Sequence, residues 1–357
     1  MRRNRQTAQV SLAFLIASTI TLGMLALTIV LVGQSFRGME SAKITAASAT
    51  ARQLAVSVDD RIRAITGPPS TALAVLSHDP LAVADTLQQR LVRMPVVANI
   101  LDSSDIVSAV YAGYDNGDFF LLRKIRSSGA MQFPDAPTNA QYLLQSITRA
   151  EDGRPQPMWH FYDASRTLLE RRTPSDYRFD PRDRGWYELA DASGTTELTA
   201  PYVFFTTGET GLTLSRRQAT AKGMDNNTVF GIDVTVTDLG TQLAELRQTP
   251  GTRIAIVNAE GSPLAYTGPD TTNSGTTSNT TKPQGLNDGA INAVLERDGM
   301  QATSELVNRF TTENRDWYGM TEPLESLDQE NLKIAVAIPA DELLADVWAA
   351  LTRQTIL

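Results

Sequence analysis

One short segment gathers the side chains best suited to holding a small charged molecule. Residues 177–187 read Tyr-Arg-Phe-Asp-Pro-Arg-Asp-Arg-Gly-Trp-Tyr, so three arginines and two aspartates stand among four aromatic rings. Asp180-Pro181 predicts a turn, and Arg184 and Trp186 would face the same way on an extended stretch. A guanidinium beside an indole suits a small organic anion, because the guanidinium fork pairs with a carboxylate while the ring covers aliphatic carbon. The segment therefore predicts an anion-binding site.

A complementary charge follows later in the chain. Asp233 lies in the otherwise apolar run Gly231-Ile232-Asp233-Val234, and Tyr202 follows Ala200-Pro201. A carboxylate in an apolar strand needs a partner. That partner could be the ammonium group of a ligand, with aromatic faces adding a cation–π attraction of about 0.5–2 kcal/mol.

The same residues allow a purely structural interpretation. Surface ion pairs could join Arg182 to Asp180 or Arg184 to Asp183. In that interpretation Trp186 packs in the core. Asp233 then either caps the helix that follows it or pairs with an arginine.

Composition excludes several classes of chemistry. The chain has no cysteine and only two histidines, His78 and His160, which excludes disulfides, thiolate metal sites and thiol nucleophiles. We expect His160, in the strand-like run Met158–Tyr162, to be a packed structural residue. A net charge of −8 disfavours nucleic acid as a partner. No phosphate-cradling, serine-hydrolase or zinc-protease motif occurs, so neither a cofactor nor a metal nor a catalytic residue is expected.

The amino terminus predicts export. Residues 9–33 contain no charged residue, and they follow Arg2, Arg3 and Arg5. Twenty-five apolar or uncharged residues are enough for a helix to span a bilayer core of ~30 Å, and the arginines place residues 1–8 in the cytoplasm. The alternative is a signal peptide cleaved near Ala47-Ser48-Ala49, but its apolar region would be about 7–15 residues long. Both interpretations export the remainder.

Residues 36–93 carry the sequence pattern of helices, and the residues after them carry the pattern of strands. Leu54, Val58, Ile62 and Ile65 recur at helical spacing and predict one long helix over 36–65. A second helical stretch covers 79–93. The runs IVSAVYAGY and DFFLLRKI then flank Asp115-Asn116-Gly117, which predicts a β-hairpin.

Further strand and helix signals continue to the end of the chain. MWHFYD, ELTAPYVFF, GLTLSRRQA and NTVFGIDVTV predict further strands, and VTDLGTQLAELRQT predicts a short helix with Asp238 near its start. Residues 252–266 predict strand, turn at Glu260-Gly261, and strand. Residues 267–285 are polar and of low complexity and predict a mobile loop, followed by a helix over 286–299, strands over 304–339 and a closing helix.

The fold class that follows is α+β, with two antiparallel sheets in tandem on one long helix, because strands follow strands instead of alternating with helices. The expected segments are a cytoplasmic terminus at 1–8, a transmembrane helix at 9–33, a helical stalk at 34–93, a larger module at 94–240, a smaller module at 250–340, and a helix leading back to the membrane at 341–357.

This layout and the segment 179–187 resemble the extracellular double Cache sensor domains of bacterial transmembrane receptors, which hold two PAS-like modules. The segment is similar to the family signature Tyr-Asp-Pro-Arg-x-Arg-Pro-Trp-Tyr of the membrane-distal module. In members that bind amino acids, the second arginine and the tryptophan hold the ligand carboxylate, which implies those roles for Arg184 and Trp186. A later tyrosine and a strand aspartate hold the ammonium, which implies Tyr202 and Asp233.

The resemblance also implies a ligand-binding place for Tyr187, which closes the signature, and supporting places for Phe179, Asp180 and Arg182. Two departures matter. Phe179 replaces a tyrosine and removes one hydroxyl donor, worth roughly 0.5–1.5 kcal/mol, and Gly185 replaces a proline. These departures favour an amine or another ligand over an amino acid, within the expected class of small polar ligands (amino acid, amine or carboxylate).

The resulting expectation is a non-enzymatic sensor anchored in the bacterial inner membrane by one span, with residues 34–357 periplasmic or extracellular. It would act as a homodimer and pass its signal along the long helix to a cytoplasmic output outside this chain, such as an adenylate cyclase. One alternative is a module that only dimerises or binds a periplasmic partner protein. A periplasmic hydrolase is a third, although no catalytic arrangement supports it.

Overall fold

The protein is described here from a computed structural model covering residues 12–125, 133, 135–175, 177–218, 227–259, 261–268, 286–298, 307–325 and 332–343. Several predicted segments lie outside these residues: the cytoplasmic terminus at 1–8, nearly all of the polar stretch at 267–285, and the closing helix beyond residue 343.

A single long helix, α1 (Leu12–Leu76), joins two predicted segments. Apolar side chains along residues 18–34 are exposed, among them Leu22 at 72%. Further on, the predicted spacing is confirmed, because Leu54, Val58 and Ile62 are buried. Of the helices within the described ranges, none reaches the length and hydropathy that a membrane span requires.

The helix expected at 79–93 is divided in two. Asp79 caps a short 3₁₀ helix, Pro80–Val83, by accepting a hydrogen bond from the Leu81 amide. Thr86 and Gln89 then form a capping box that starts α2 (Leu87–Asp102). Two capping side chains seven residues apart therefore place a break where helical spacing alone suggested continuity.

The first sheet contains β1 (Val107–Gly113), β2 (Phe119–Lys124), β3 (Tyr142–Arg149), β4 (Pro155–Tyr162), β5 (Leu168–Arg172), β6 (Glu197–Leu198), β7 (Tyr202–Val203), β8 (Thr210–Arg217) and β9 (Val229–Thr235). Its order is β5-β4-β3-β2-β1-β9-β8-β6, with β7 paired to β8, and every pair is antiparallel. The hairpin predicted at 115–117 joins β1 to β2, where Gly117 adopts a φ of +83°.

Two short helices lie beside this sheet. α3 (Gly185–Leu189) belongs to the segment singled out above, and α4 (Val236–Ala244) follows β9 directly.

The second sheet contains β10 (Arg253–Val257), β11 (Pro263–Thr267), β12 (Asn308–Thr312), β13 (Arg315–Pro323) and β14 (Lys333–Pro339), in the antiparallel order β11-β10-β14-β13-β12. Helix α5 (Gly289–Asp298) packs on one face of it. The α+β class with antiparallel sheets is therefore confirmed.

The largest core cluster joins α1 and α2 to the inner faces of both sheets. Two hydrogen bonds also tie the first sheet to the turn after α1. The Tyr114 hydroxyl, just beyond β1, donates to the Leu81 carbonyl at 2.9 Å. The Thr228 hydroxyl, just before β9, donates to the Ala82 carbonyl at 2.7 Å.

A second cluster covers the opposite, outer face of the first sheet. It includes Tyr111, Phe119 and Trp186, with Phe179 and Tyr202 packed against it. The segment rich in arginine and aromatic residues thus lies on the outer face of β1, β2 and β9.

Candidate ligand-binding site

The segment 179–187 is folded into two short helical turns. Asp180 caps a 3₁₀ helix, Pro181–Asp183, and Arg184 is the residue immediately before α3. Proline fixes the backbone angle that starts such a turn, so the predicted turn at Asp180-Pro181 is confirmed. We expected Arg184 and Trp186 to lie on one extended stretch. That expectation is wrong, because α3 begins between them, at Gly185.

Asp180 and Arg182 form an ion pair that holds this turn. The Arg182 Nη2 lies 2.7 Å from Asp180 Oδ2, and Arg149 Nη2 donates to the same oxygen at 2.8 Å. The hydrogen bonds of Arg182 lower the pKa of Asp180 to about 2. Of the alternatives left open above, this pairing is present, and its role is to fix the turn beside the site.

Trp186 is almost fully buried and packs against the strands. Its exposed fraction is 3%, and its ring lies edge-on to Tyr111 with 4.8 Å between centroids. Gly113 leaves room for the indole, because an added Cβ there would lie 2.7 Å from Trp186 Cη2. Trp186 therefore packs in the apolar cluster of the outer face, as the structural interpretation expected, and its contact with a ligand remains a prediction.

Tyr187 packs beside Trp186, with 5.7 Å between their ring centroids. Its hydroxyl donates to the Asn227 carbonyl at 3.0 Å, and the Arg217 guanidinium lies 5.2 Å from its ring centroid. These contacts fasten α3 to the sheet. Its predicted contact with a ligand remains a prediction.

Asp233 is the buried charge of the site. Its exposed fraction is 4%, and its Oδ1 accepts hydrogen bonds from the Tyr111 hydroxyl and from Thr213 Oγ1, each at 2.6 Å. Because the Thr213 proton is used there, Thr213 accepts from the Tyr202 hydroxyl at 2.7 Å. Tyr202 and Asp233 are thus brought together through one shared threonine.

Strand register explains this network. Asp233 in β9 stands opposite Thr213 in β8, and Tyr111 in β1 stands opposite Gly231. The structural alternatives for Asp233 are not realised, because Thr235 caps α4. Within the described ranges, no arginine or lysine lies at ion-pair distance from Asp233.

Burial dominates the electrostatics of Asp233. It raises the pKa of the carboxyl to about 6, against the hydrogen bonds from Thr213 and Tyr111 and the positive charge of Arg123, all of which favour ionisation. Burial also raises the pKa of the Tyr202 hydroxyl, with the charge of Asp233 acting in the same direction. Asp233 can therefore change charge near neutral pH, while the phenol stays a hydrogen-bond donor.

Arg184 lies among aromatic rings. Its guanidinium carbon is 5.7 Å from the ring centroids of both Phe179 and Phe205. No carboxylate among the described residues pairs with it, so the pairing with Asp183 considered above is absent. A half-buried cation with rings beside it and no counterion suits the anionic end of a ligand.

Sequence reasoning missed three residues of this site: Tyr111, Thr213 and Arg123. Arg123, in β2, is 6% exposed, and its Nε is buried without a hydrogen-bond partner. In register it stands opposite Ala109, which in turn stands opposite Asp233, so the small Ala109 separates a buried cation from a buried anion. The alternation of Phe119 and Leu121 does place Arg123 on the apolar outer face, but a charge at the end of a strand is ordinary, so this signal did not single it out.

The site has no arrangement suited to a metal ion. Nowhere in the described part of the chain do three or more His, Asp or Glu side chains form such a cluster.

Comparison with known proteins gives one relative by sequence. The chain is 28% identical over 341 residues to adenylate cyclase 1 of Rhizobium meliloti (strain 1021), covering 92% of this chain and 50% of that protein. The chain thus spans about half the length of the curated relative it matches. No protein-family profile matches it.

Solved structures with a similar fold are sensor domains. The ligand-binding domain of the Pseudomonas fluorescens chemoreceptor CtaA, in complex with L-serine, has a TM-score of 0.51 at 17% identity, covering 82% of this chain and 97% of that domain. The ligand-binding domain of the Campylobacter jejuni chemoreceptor Tlp3, in complex with 4-methylisoleucine, has a TM-score of 0.52 at 13% identity, covering 84% of this chain and 94% of that domain. These are double Cache domains, so the resemblance seen in the sequence is confirmed at the level of the fold.

Proposed function

We propose that this chain, which has the double Cache fold, is the sensor portion of a bacterial transmembrane receptor and binds a small polar ligand on the outer face of its first sheet. The observation that carries the proposal is Asp233, a buried carboxylate with no cationic partner within the described residues, lying beside aromatic rings. A buried charge of this kind costs stability unless something pairs with it. A ligand ammonium group would supply that pair.

The opposite end of the ligand would meet Arg184. This guanidinium has aromatic neighbours and no counterion in the described part of the chain. Trp186 and Phe179 would wall the aliphatic part of the ligand, while Tyr202 would orient the ammonium group beside Asp233. Such opposed charges select a zwitterion over a molecule that carries one charge.

The ligands of the similar domains support this chemistry. CtaA was solved with L-serine and Tlp3 with 4-methylisoleucine, both of which carry an ammonium and a carboxylate group. We therefore place α-amino acids first among the candidate ligands.

The proposed receptor also has a membrane anchor and a signalling output. We propose that residues 9–33 anchor the protein in the inner membrane, with residues 34–357 outside the cytoplasm. The exposed apolar side chains of α1 between residues 18 and 34 support this proposal. Ligand binding would displace the first sheet against α1, and a homodimer would carry the change to a cytoplasmic output. The relative named adenylate cyclase 1 makes a cyclase the first candidate for that output.

Binding by the full chain in mild detergent tests the proposal. We expect L-serine, L-alanine or L-isoleucine to raise the unfolding temperature, because a ligand at about 100 times its Kd stabilises the folded state by roughly 2.7 kcal/mol. Asp233→Asn and Arg184→Gln should each weaken binding by about 10- to 100-fold, since each removes a charge-assisted hydrogen bond. Isothermal titration calorimetry measures both effects.

Arg178→Gln is the matched control. It removes an arginine from the same segment, but one whose side chain is exposed and takes no part in the turn or the site. Equal affinities in all three variants would contradict the site. The absence of binding by any amine or amino acid would favour a module that binds a partner protein.

A further inference from the structure

Several polar atoms on the outer face of the first sheet are buried without hydrogen-bond partners, and four of them lie on neighbouring side chains of β2, β3 and β4. These four are Arg123 Nε in β2, Gln145 Nε2 and Oε1 in β3, and Trp159 Nε1 in β4. The Gln145 side chain is fully buried, and Arg123 is 6% exposed. Buried polar groups are normally paired, so each such atom calls for a cause.

Register brings these side chains together. Gln145 stands directly opposite Trp159, and Arg123 stands opposite Leu143, two residues before Gln145. Directly opposite residues on one face lie about 4.5–5.5 Å apart at their Cβ atoms, and diagonal ones about 7–8 Å. We call Arg123, Gln145 and Trp159 the unpaired row.

The unpaired row adjoins the proposed ligand site at both ends. On one side, only Ala109 separates Arg123 from Asp233 in the sheet. On the other, Tyr177 joins the row to Arg184 through ring contacts. The Tyr177 centroid is 5.9 Å from Trp159 and 6.0 Å from Phe179, and the Phe179 centroid is 5.7 Å from the Arg184 guanidinium.

The chemistry of the row favours an anion. Three of its four unpaired atoms are N–H donors, and one of those belongs to a guanidinium group. No carboxylate in the described part of the chain lies at ion-pair distance from Arg123. A buried guanidinium without a counterion is costly, whereas an anionic oxygen placed here would accept charge-assisted hydrogen bonds.

We propose that the unpaired row binds a second anionic group of the ligand, so that the preferred ligand is an acidic amino acid. The ammonium group would lie at Asp233, the α-carboxylate at Arg184 and the side-chain carboxylate at Arg123. Asp233 and Arg123 lie two strand spacings apart, so their backbones are about 9–10 Å from each other. The long arginine side chain shortens the distance between the two charged groups to one that a molecule the size of glutamate can span. This inference rests on the proposed function and specifies its ligand class.

Three probes of similar size test the inference by isothermal titration calorimetry on the full chain in mild detergent at neutral pH. These are L-glutamate, L-glutamine and L-norvaline. We expect L-glutamate to bind at least about tenfold more tightly than the other two. Arg123→Met should bring the ratio of the L-glutamate and L-norvaline affinities close to one, because the loss of the Arg123 charge beside Asp233 weakens both ligands alike, whereas the loss of the anion contact weakens only L-glutamate. Arg123→Lys should retain part of the preference.

Arg172→Met serves as the control. Arg172 stands opposite Trp159 on β5, but its guanidinium already pairs with Glu170 and donates to the Asp135 carbonyl. It should leave the preference for L-glutamate unchanged.

A ligand-free measurement keeps the inference testable if a variant binds nothing. Gln145→Met replaces an unpaired buried amide with an apolar side chain of similar length, so it should not lower the unfolding temperature. A lower unfolding temperature would show that this amide is paired in the free protein and would overturn the inference.

The outcomes separate the inference from the proposed function. Wild-type protein that binds L-norvaline as tightly as L-glutamate, with binding lost in Asp233→Asn, overturns this inference and leaves the proposed function. A preference for L-glutamate that persists in Arg123→Met likewise overturns this inference and leaves the proposed function. Failure of all three probes to bind overturns the proposed function and this inference with it.

Discussion

Asp233 is the residue on which the properties of the site depend. Its carboxylate receives two hydroxyl hydrogen bonds on one oxygen, yet burial still raises its pKa to about 6. The ordinary value is 3.8, so the free protein holds a proton on this group over a pH range in which an exposed aspartate is ionised. An ammonium ligand pairs only with the ionised form.

This residue predicts a pH dependence of binding. As pH falls below about 6, Asp233 becomes protonated, and affinity for a primary amine should fall about tenfold per pH unit. Titration calorimetry between pH 4.5 and 8 measures the change, and binding near pH 6 should release a proton. Affinity that stays constant across this range would contradict the assignment.

The stability of the free protein depends on pH in the opposite direction to ligand affinity. The folded state binds a proton more tightly at Asp233 than the unfolded state does, so this group's contribution to the free energy of unfolding decreases as pH rises from about 4 to 6. Asp233→Asn should remove that contribution. Denaturant unfolding of the ligand-free variant and the wild type between pH 4 and 6 measures the difference.

The sequence could predict a residue's place in the site where that residue broke a local pattern. It could not do so where the role depends on a contact with a distant residue. Asp233 stood out as a charge in an apolar strand. Arg123 breaks the pattern of β2 in the same way, but Arg123 and Lys124 come at the end of a strand, where charges are ordinary. Tyr111 and Thr213 acquire their role from register across β1, β8 and β9, over separations of more than 100 residues for Tyr111, and no local pattern reports such pairing.

At the level of elements, the pairing of β1 with β9 fixes the carboxylate. Gly231 stands opposite Tyr111, and the tyrosine ring lies across the place where a Gly231 side chain would be. The ring then extends diagonally to Asp233. A glycine two residues before the aspartate is thus part of the site without touching a ligand.

Gly231→Ala should therefore disturb the site through the strand. The added Cβ would lie 2.2 Å from Tyr111 Cε2, so the ring must move and its hydrogen bond to Asp233 must weaken. We expect a loss of about 1–3 kcal/mol in the free energy of unfolding by denaturant and a further rise in the pKa of Asp233. Gly185→Ala is the control, because an added Cβ at Gly185 meets no atom within 4 Å. Equal stabilities of the two variants would refute this explanation.

Elements with strong periodicity were predictable, and short ones were not. The long helix and the hairpin at 115–117 followed from apolar spacing and from turn residues. Helix α3 has only five residues, too few for periodicity to distinguish it from an extended stretch, and its start depends on the turn that Asp180 and Arg182 hold. The break before α2 depends in the same way on individual capping side chains at Asp79 and Thr86.

At the scale of the whole molecule, α1 unites the two sheets. Leu54 and Val58 belong to one apolar cluster with Ile232 of the first sheet and Ile334 of the second. Polar contacts repeat the connection, since the Val307 amide, just before β12, donates to Ser48 Oγ at 3.2 Å, and Arg61 pairs with Glu245 beyond α4. The sheets therefore share one core along α1, in addition to the separate apolar cluster that each has on its other face.

Shared packing predicts a single cooperative unfolding transition. Trp317 reports on the second sheet, and Trp159 and Trp186 report on the first. In a variant that carries both Trp317→Phe and Trp348→Phe, only the two tryptophans of the first sheet remain. The fluorescence and the far-ultraviolet circular dichroism of this variant should give the same denaturation midpoint. A bound ligand should shift both midpoints together. Two separated transitions would show that the sheets unfold independently.

The hydrogen bonds from Tyr114 and Thr228 to the turn after α1 have a geometric consequence. They fasten the ends of the two strands that carry Tyr111 and Asp233 to the turn that follows a helix of 65 residues, which at 1.5 Å per residue is about 100 Å long. Over that length, tilting the axis by about one degree moves the opposite tip by roughly 1.7 Å. A rearrangement at the strands too small to alter their pairing is thus magnified into a shift of atomic size near Leu12.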